Sequence, residues 1–321
     1  TNTARNTPTS VDLGTGRTAK MVACGGYFTC AILDDNSVKC WGWNNAGQLG
    51  DGTSTSRSVP TVVPSLDAKS ISLGGFHACA TLQDDSIKCW GQNVHGQLGL
   101  GDTTQSNSPK AVDLGTGRVA KVVALGAYHS CAILDDDSLK CWGQNSEGQL
   151  GLGDNTQRSS PVLVDIGSGR TPKSIDLGDK HTCAVLDDDS VKCWGVNAEG
   201  QLGDGTTTSR TSPTSIMCGT NQYVSSNACT SCPSGTTNAA NDIASGSDTT
   251  CDASACTASS TSSKDGSDGA FYCINGGTVG GTTGSCTCTS CNAGYGGASC
   301  AERTVISLGS YHSCALLTGG A

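Results

Sequence analysis

Eight of the twenty cysteines in this 321-residue chain recur in pairs ten residues apart. They are Cys30 and Cys40, Cys79 and Cys89, Cys131 and Cys141, and Cys183 and Cys193. Thiols in recurring patterns hold metals, exchange electrons or close disulfides. The copies lie 49, 52 and 52 residues apart, yet the ten-residue separation never changes. Each pair therefore reads as a disulfide within one hairpin. The two CTSC segments, 229–232 and 288–291, share a spacing with zinc knuckles and redox motifs. A zinc ribbon places its second pair some 15–20 residues on, whereas here the gap is longer and other cysteines intervene. Nor does a helix start lower a thiol pKa. These too read as structural disulfides.

His77, His129, His181 and His312 each stand two residues before a repeat cysteine, and Phe28 holds that place in the first copy. Imidazoles ringed about an axis would suit a metal, but packing and hydrogen bonding is the reading adopted, with no metal and no cofactor. The acidic clusters at 34–36, 84–85, 135–137 and 187–189 lack the glycine and distant glutamate of a calcium loop. They read as solvated hairpin turns. The sequence contains no GxSxG, no HExxH and no phosphate-binding glycine loop, so no catalytic residue is assigned and the chain is read as not an enzyme.

The elements that must hold these cysteines are strand, turn, strand. In CAILDDNSVKC, Ile32 and Val38 alternate with polar or small neighbours, and Asp34, Asp35 and Asn36 supply the turn. Folding about Asp35 sets Cys30 opposite Cys40. Opposed residues have Cα atoms about 4.5–5.5 Å apart, within reach of a disulfide, and so short a loop gains roughly 2.5–3 kcal/mol from closure. CATLQDDSIKC, CAILDDDSLKC and CAVLDDDSVKC repeat the pattern, and a fifth copy begins at Cys314. After each complete hairpin comes a second signature: WGWNNAGQLG from Trp41, WGQNVHGQLG from Trp90, WGQNSEGQLG from Trp142 and WGVNAEGQLG from Trp194. We read this signature as a strand with a Gly-bounded turn. Units of about 50 residues with several short strands suggest propeller blades.

These signatures resemble the regulator of chromosome condensation repeat family, over residues 1–216 and 303–321. The resemblance implies an all-β fold, a β-propeller with blades of short antiparallel strands, commonly seven to a ring. The paired cysteines depart from the intracellular founding member, where such bridges would be reduced, and they argue against its exchange activity on a small GTPase.

Between the fourth and fifth copies, about 86 residues replace a six-residue loop; they hold ten cysteines and only five residues from Leu, Val, Ile and Phe. Such a segment depends on covalent links rather than a core. Residues 217–252, with Cys218, Cys229, Cys232, Cys251 and CPSGT at 232–236, resemble ephrin-receptor-like or tumour-necrosis-factor-receptor-like modules. Residues 253–302, with INGGT at 274–278 and CNAGYGGASC at 291–300, resemble an epidermal-growth-factor-like module. That resemblance implies Cys256–Cys286, Cys273–Cys288 and Cys291–Cys300. Val279, where a cysteine often follows NGGT, and the two-residue gap between Cys288 and Cys291 depart from the family pattern. Residues 303–321 start a further propeller repeat.

Cys24 stands where other copies have Leu73, Leu125 and Leu177, and Cys314 lacks a partner ten residues on. Both are expected to be unpaired or intermolecular. Two explanations compete for the incomplete last repeat: an excerpt of a longer chain, which we expect, or a strand supplied by a neighbouring chain.

Composition removes several function classes. A net charge of −9 offers no basic face for nucleic acid, and no run of 18 apolar residues occurs to span a membrane. Oxidised cysteines place the chain outside the cell or at its surface. The expected function is an extracellular structural or adhesive protein, a subunit or segment of a surface assembly or filament such as a flagellar appendage. Its partners would be copies of itself or other matrix subunits, and the Ser/Thr run at 258–263 offers O-linked glycan sites. The alternative is a secreted protein-binding module, an enzyme inhibitor or receptor-like binder, acting through propeller loops. That reading expects aromatic anchors at loop tips. Trp43 is the Trp outside the repeated position, and His95 is taken as its counterpart.

Overall fold

The computed structural model describes residues 6–217 and, beyond them, the backbone of short strands at 222–225, 228–231, 278–280, 287–290, 307–308 and 313–314. The chain divides into two compact units. The four repeats form the first, apart from residues 188–191 and 215–217. The second is described only through short antiparallel pairs: β17 (Gln222–Ser225) with β18 (Ala228–Ser231), and β19 (Thr278–Gly280) with β20 (Thr287–Ser290). A further pair, β21 (Ser307–Leu308) and β22 (Ser313–Cys314), follows.

Each repeat is one four-stranded antiparallel blade. The first is β1 (Ala19–Cys24), β2 (Phe28–Leu33), β3 (Val38–Gly42) and β4 (Arg57–Val62), paired in chain order. The second is β5 (Ala68–Leu73), β6 (His77–Leu82), β7 (Ile87–Gly91) and β8 (Ser106–Ala111). The third is β9 (Ala120–Leu125), β10 (His129–Leu134), β11 (Leu139–Gly143) and β12 (Arg158–Leu163). The fourth is β13 (Pro172–Leu177), β14 (His181–Leu186), β15 (Val191–Gly195) and β16 (Arg210–Met217). β1 touches β5, β5 touches β9 and β9 touches β13, so the first strand of each blade is innermost. The outer strands carry Pro60, Pro109, Pro161 and Pro213. A proline there removes a donor from the exposed edge and discourages pairing with another chain.

The acidic residues form three-residue turns between the second and third strands. In the first, the Asn36 amide donates to the Leu33 carbonyl at 3.0 Å, and Asn36 lies at φ 65°. Asp85, Asp137 and Asp189 hold the same left-handed place, which Asn and Asp tolerate better than other side chains. The turns are solvent-exposed, as the sequence reading expects, and they also form ion pairs. Asp34 and Asp35 pair with Arg17, Asp135 and Asp136 with Arg118, and Asp187 with Arg170, which ties three of the turns to the loop ahead of the inner strand, while Asp85 pairs with Lys69 on the inner strand of the second blade.

The WGxNxxGQLG signature is strand only at Trp-Gly, a correction to the reading above. The rest is a loop built round its asparagine. Asn93 Oδ1 accepts from the Leu98 amide at 2.9 Å, while Nδ2 donates to the carbonyls of Asp102 and Thr104 at 3.1 and 3.0 Å. Asn44, Asn145 and Asn197 make equivalent bonds, and all four are fully buried. One side chain thus satisfies backbone groups that a strand would have paired.

Three apolar seams join the four blades. In the first, Phe28, Cys30, Ile32, Val38 and Cys40 of one blade pack on Ala68, Ile71, Ala78, Ala80 and Trp90 of the next. The second and third repeat this with Trp142 and Trp194. Strand alternation sends the cysteines to one face of the blade and the tryptophan to the other. Trp90, Trp142 and Trp194 are fully buried, and each indole donates 2.9 Å to a carbonyl of the preceding blade, Gln48, Gln97 and Gln149. The closing glycine of the signature lies beneath that indole. A Cβ at Gly99, which has φ 73°, would come within 2.7 Å of Trp142 Nε1. We expect Trp142→Ala to cost about 4 kcal/mol, read as a lower urea midpoint at unchanged slope. Trp43→Ala, at a half-exposed position, should cost under about 1 kcal/mol.

Candidate protein-binding site

The cysteine pairs of the blades lie where the hairpin register puts them. Cys30 faces Cys40, Cys79 faces Cys89 and Cys131 faces Cys141. All four pairs are disulfides, including Cys183–Cys193, with Cα separations of 4.1, 4.1, 4.1 and 4.2 Å. These are shorter than the 4.5–5.5 Å expected. Cys24 is free and exposed. Cys229, Cys288 and Cys314 lie on described strands, but their pairing lies outside the described residues. So do Cys218, Cys232, Cys251, Cys256, Cys273, Cys286, Cys291 and Cys300. Among the described residues no three His, Cys, Asp or Glu side chains come together as metal ligands.

The repeat histidines enter the seams. His77 Nε2 lies 2.9 Å from Ser130 Oγ of the next blade, and His129 Nε2 lies 2.9 Å from Thr182 Oγ1. Each hydroxyl donates onward, Ser130 to the Gln97 carbonyl at 2.8 Å and Thr182 to the Gln149 carbonyl at 2.9 Å. A carbonyl only accepts, so the single hydroxyl proton is committed and Nε2 must carry the imidazole proton. Nδ1 of both rings is then an unprotonated acceptor, and neither has a partner. Burial lowers both pKa values from 6.5 to about 3, so both rings are neutral. The first seam has Phe28 in the histidine place and Ala78 in the hydroxyl place. Ring and hydroxyl are therefore replaced together.

The residue before each histidine points the other way, out of the seam. Tyr27, Phe76 and Tyr128 hold this place in the first three blades, and Lys180 holds it in the fourth. The loops carrying them are tied from blade to blade: the Gly26 amide donates to the Gly74 carbonyl, and the Gly75 amide to the Gly126 carbonyl, both at 3.3 Å. The Trp43 amide donates a hydrogen bond to the Tyr27 carbonyl at 2.9 Å. The rings meet across blade boundaries. Tyr27 is 6.1 Å from Phe76, Trp43 is 5.6 Å from Phe76, and Phe76 stacks on Tyr128 at 5.4 Å. Tyr27 and Trp43 pack edge-on at 6.2 Å, and His95 closes the row against Tyr128 at 5.5 Å. Tyr27 is 66% exposed and the other rings are half-buried. Burial and then the Asp179 carboxylate hold the Tyr128 phenol above its ordinary pKa.

His95 is not the counterpart of Trp43. Repeat register gives that place to Gln92, and His95 aligns with Ala46. Both join one row because a blade's outer loop meets the inner loop of the next blade. Sequence reasoning missed Tyr27, Phe76 and Tyr128, although their recurrence just before the histidine place was visible in aligned repeats.

Four-stranded blades with their inner strands side by side define a β-propeller. The solved propeller of Prp20p from Saccharomyces cerevisiae superimposes with a TM-score of 0.60 at 22% identity, over 65% of this chain and 53% of that one. Human WBSCR16 gives 0.56 at 23% identity, over 61% and 52%. The regulator of chromosome condensation (RCC1) repeat pattern matches residues 35–81, 84–133, 136–185 and 188–251, and a second pattern of the same description matches 20–48, 68–97, 119–149 and 173–201. The chain belongs to the RCC1 repeat family. It is 33% identical over 209 residues to the ultraviolet-B receptor UVR8 of Arabidopsis thaliana, over 64% of this chain and 48% of that protein. It is 42% identical over 201 residues to the probable E3 ubiquitin-protein ligase HERC4 of Homo sapiens, over 61% of this chain and 19% of the ligase. The chain thus spans less than half the length of these curated relatives.

Proposed function

We propose that this chain is an extracellular protein-binding propeller, a subunit or segment of a cell-surface assembly or filament, and not an enzyme. The observation that carries this reading is the partly exposed row Tyr27, Trp43, Phe76, Tyr128 and His95, five rings linked by successive contacts over three blades. Aromatic side chains gathered on a rigid surface are what protein interfaces use as anchors. The four blade disulfides support an oxidising compartment. The receptor-like and growth-factor-like modules proposed for 217–252 and 253–302 fit the same setting.

Tagged full-length chain, added to intact cells of its source, tests this. The wild type should attach and label the surface, whereas Tyr27→Ala/Phe76→Ala/Tyr128→Ala, with its urea midpoint retained, should lose most attachment. Equal attachment of the two proteins refutes the row as the binding surface. One stoichiometric soluble partner, with dispersed particles in electron microscopy, would assign the inhibitor-like or receptor-like alternative.

A further inference from the structure

We propose that the aromatic row takes an arginine-bearing, extended segment of its partner, with guanidinium groups stacked on the rings. This rests on the protein-binding reading above and names the chemistry of the partner. Spacing is the first argument. Alternate side chains of an extended strand stand roughly 6.6 Å apart on one face. Tyr27 to Phe76 is 6.1 Å and Phe76 to Tyr128 is 5.4 Å. One residue in two of such a segment therefore finds a ring in each successive blade.

Ring orientation is the second argument. Phe76 and Tyr128 lie within 28° of parallel, while Trp43 stands at 71° to Phe76 and at 68° to Tyr27. Tyr27, 66% exposed, leaves much of its ring open to solvent, and the other rings are partly open. The face of an aromatic ring carries the negative part of its quadrupole, and a cation over it gains about 0.5–2 kcal/mol.

Charge is the third argument. The loops bearing Tyr27, Trp43, Phe76, His95 and Tyr128 contain no Lys or Arg. At the fourth blade, Asp179 acts electrostatically on Tyr128. Glu147 holds in the third blade the place His95 holds in the second, so these loops carry the carboxylates of Asp179 and Glu147 and one cation, Lys180. The whole chain is at −9, so a cationic segment is drawn in and an acidic one repelled. Arginine suits the row better than lysine because its planar, weakly hydrated guanidinium stacks on rings, whereas an ammonium must shed more water.

The probes are three acetylated nonapeptides alternating serine with arginine, lysine or citrulline, titrated against the full oxidised chain at low salt. The arginine peptide should bind measurably. The lysine peptide should bind at least about five-fold more weakly, and the uncharged citrulline peptide at least about ten-fold more weakly. Phe76→Ala/Tyr128→Ala should lose about ten-fold in affinity for the arginine peptide while keeping its urea midpoint within a few tenths molar. Equal binding of the lysine and arginine peptides reduces the effect to net charge and overturns the proposal, as does equal binding of citrulline. So does an unchanged affinity of the double variant, or no binding by the wild type up to millimolar peptide. If surface attachment needs the row but arginine peptide does not compete for it, the protein-binding reading stands and the arginine proposal falls.

Discussion

Reduction of the four blade disulfides should leave the propeller unfolded at 37 °C. Each closes a loop of ten residues, which the chain-entropy relation values at about 2.7 kcal/mol. Four such closures approach about 11 kcal/mol, as much as the whole stability of an ordinary domain. Position adds to this. Cys30, Cys40, Cys89, Cys131 and Cys141 are fully buried, and the bridges of the first three blades form part of the seams that hold blade to blade. Cys131→Ala/Cys141→Ala in the oxidised protein should therefore cost about 3–4 kcal/mol, closure entropy plus the emptied sulfur volume. The bridge of the fourth blade, where Cys183 is partly exposed, should cost less. Urea unfolding of the reduced, oxidised and substituted forms measures all of this. A reduced protein with an unchanged midpoint would detach the disulfides from stability, and the extracellular assignment would lose its physical support.

The hairpin disulfides were legible in the sequence because everything that sets them is local. Ten residues, an acidic three-residue turn and period-two alternation fix the register, and the register fixes the pairing. The loop bonds of Asn93 also span short distances, but their sequence signal is ambiguous. Trp-Gly-x-Asn-x-x-Gly-Gln-Leu-Gly alternates little and was read as strand, and only the bond network shows the asparagine replacing a strand partner. The seams and the aromatic row depend on which blade faces touch. His77 and Ser130 are 53 positions apart. Their coupling is written in the chain as joint replacement, His with Ser or Thr and Phe28 with Ala78, but that pattern has meaning only once the seam is known. The row mixes two loop types from adjacent blades, so Trp43 and His95 share a surface without sharing a place in the motif. The low count of large apolar residues has the same cause. Of 53 Leu, Val, Ile and Phe, five lie in the inserted segment, and most of those buried among the described residues line seams shared by successive blades rather than one central core.

Acidification should weaken the propeller well above the pH at which its carboxylates protonate. His77 and His129 have folded-state pKa values of about 3 against 6.5 in the unfolded chain. Below pH 6.5 the unfolded state binds two protons that the folded state refuses. Stability is therefore full above 6.5 and falls as pH drops toward 3. Each histidine contributes up to about 1.4 kcal/mol per pH unit, so from pH 7.5 to 4.5 the pair removes roughly 5 kcal/mol. Burial also lowers the pKa of His181, which adds a smaller loss of the same sign. The carboxylates act elsewhere on the scale. Asp51, Asp154 and Asp204 have pKa values below 3.8 in the fold, so the stability they contribute is intact over most of the histidine window and is lost as pH falls past 3.8. The physical reason for the histidine penalty is specific. A second proton must go to Nδ1, which is buried without an acceptor, because Nε2 is already committed to Ser130 or Thr182. The first seam supplies the control, since Phe28 and Ala78 occupy the same places without a titrating group. His77→Phe/Ser130→Ala should fold and should halve the slope of stability against pH between 6 and 4.5. Urea midpoints measured at half-unit steps would show it. If the slope of the double variant matched that of the wild type, the acid sensitivity would lie outside these seams.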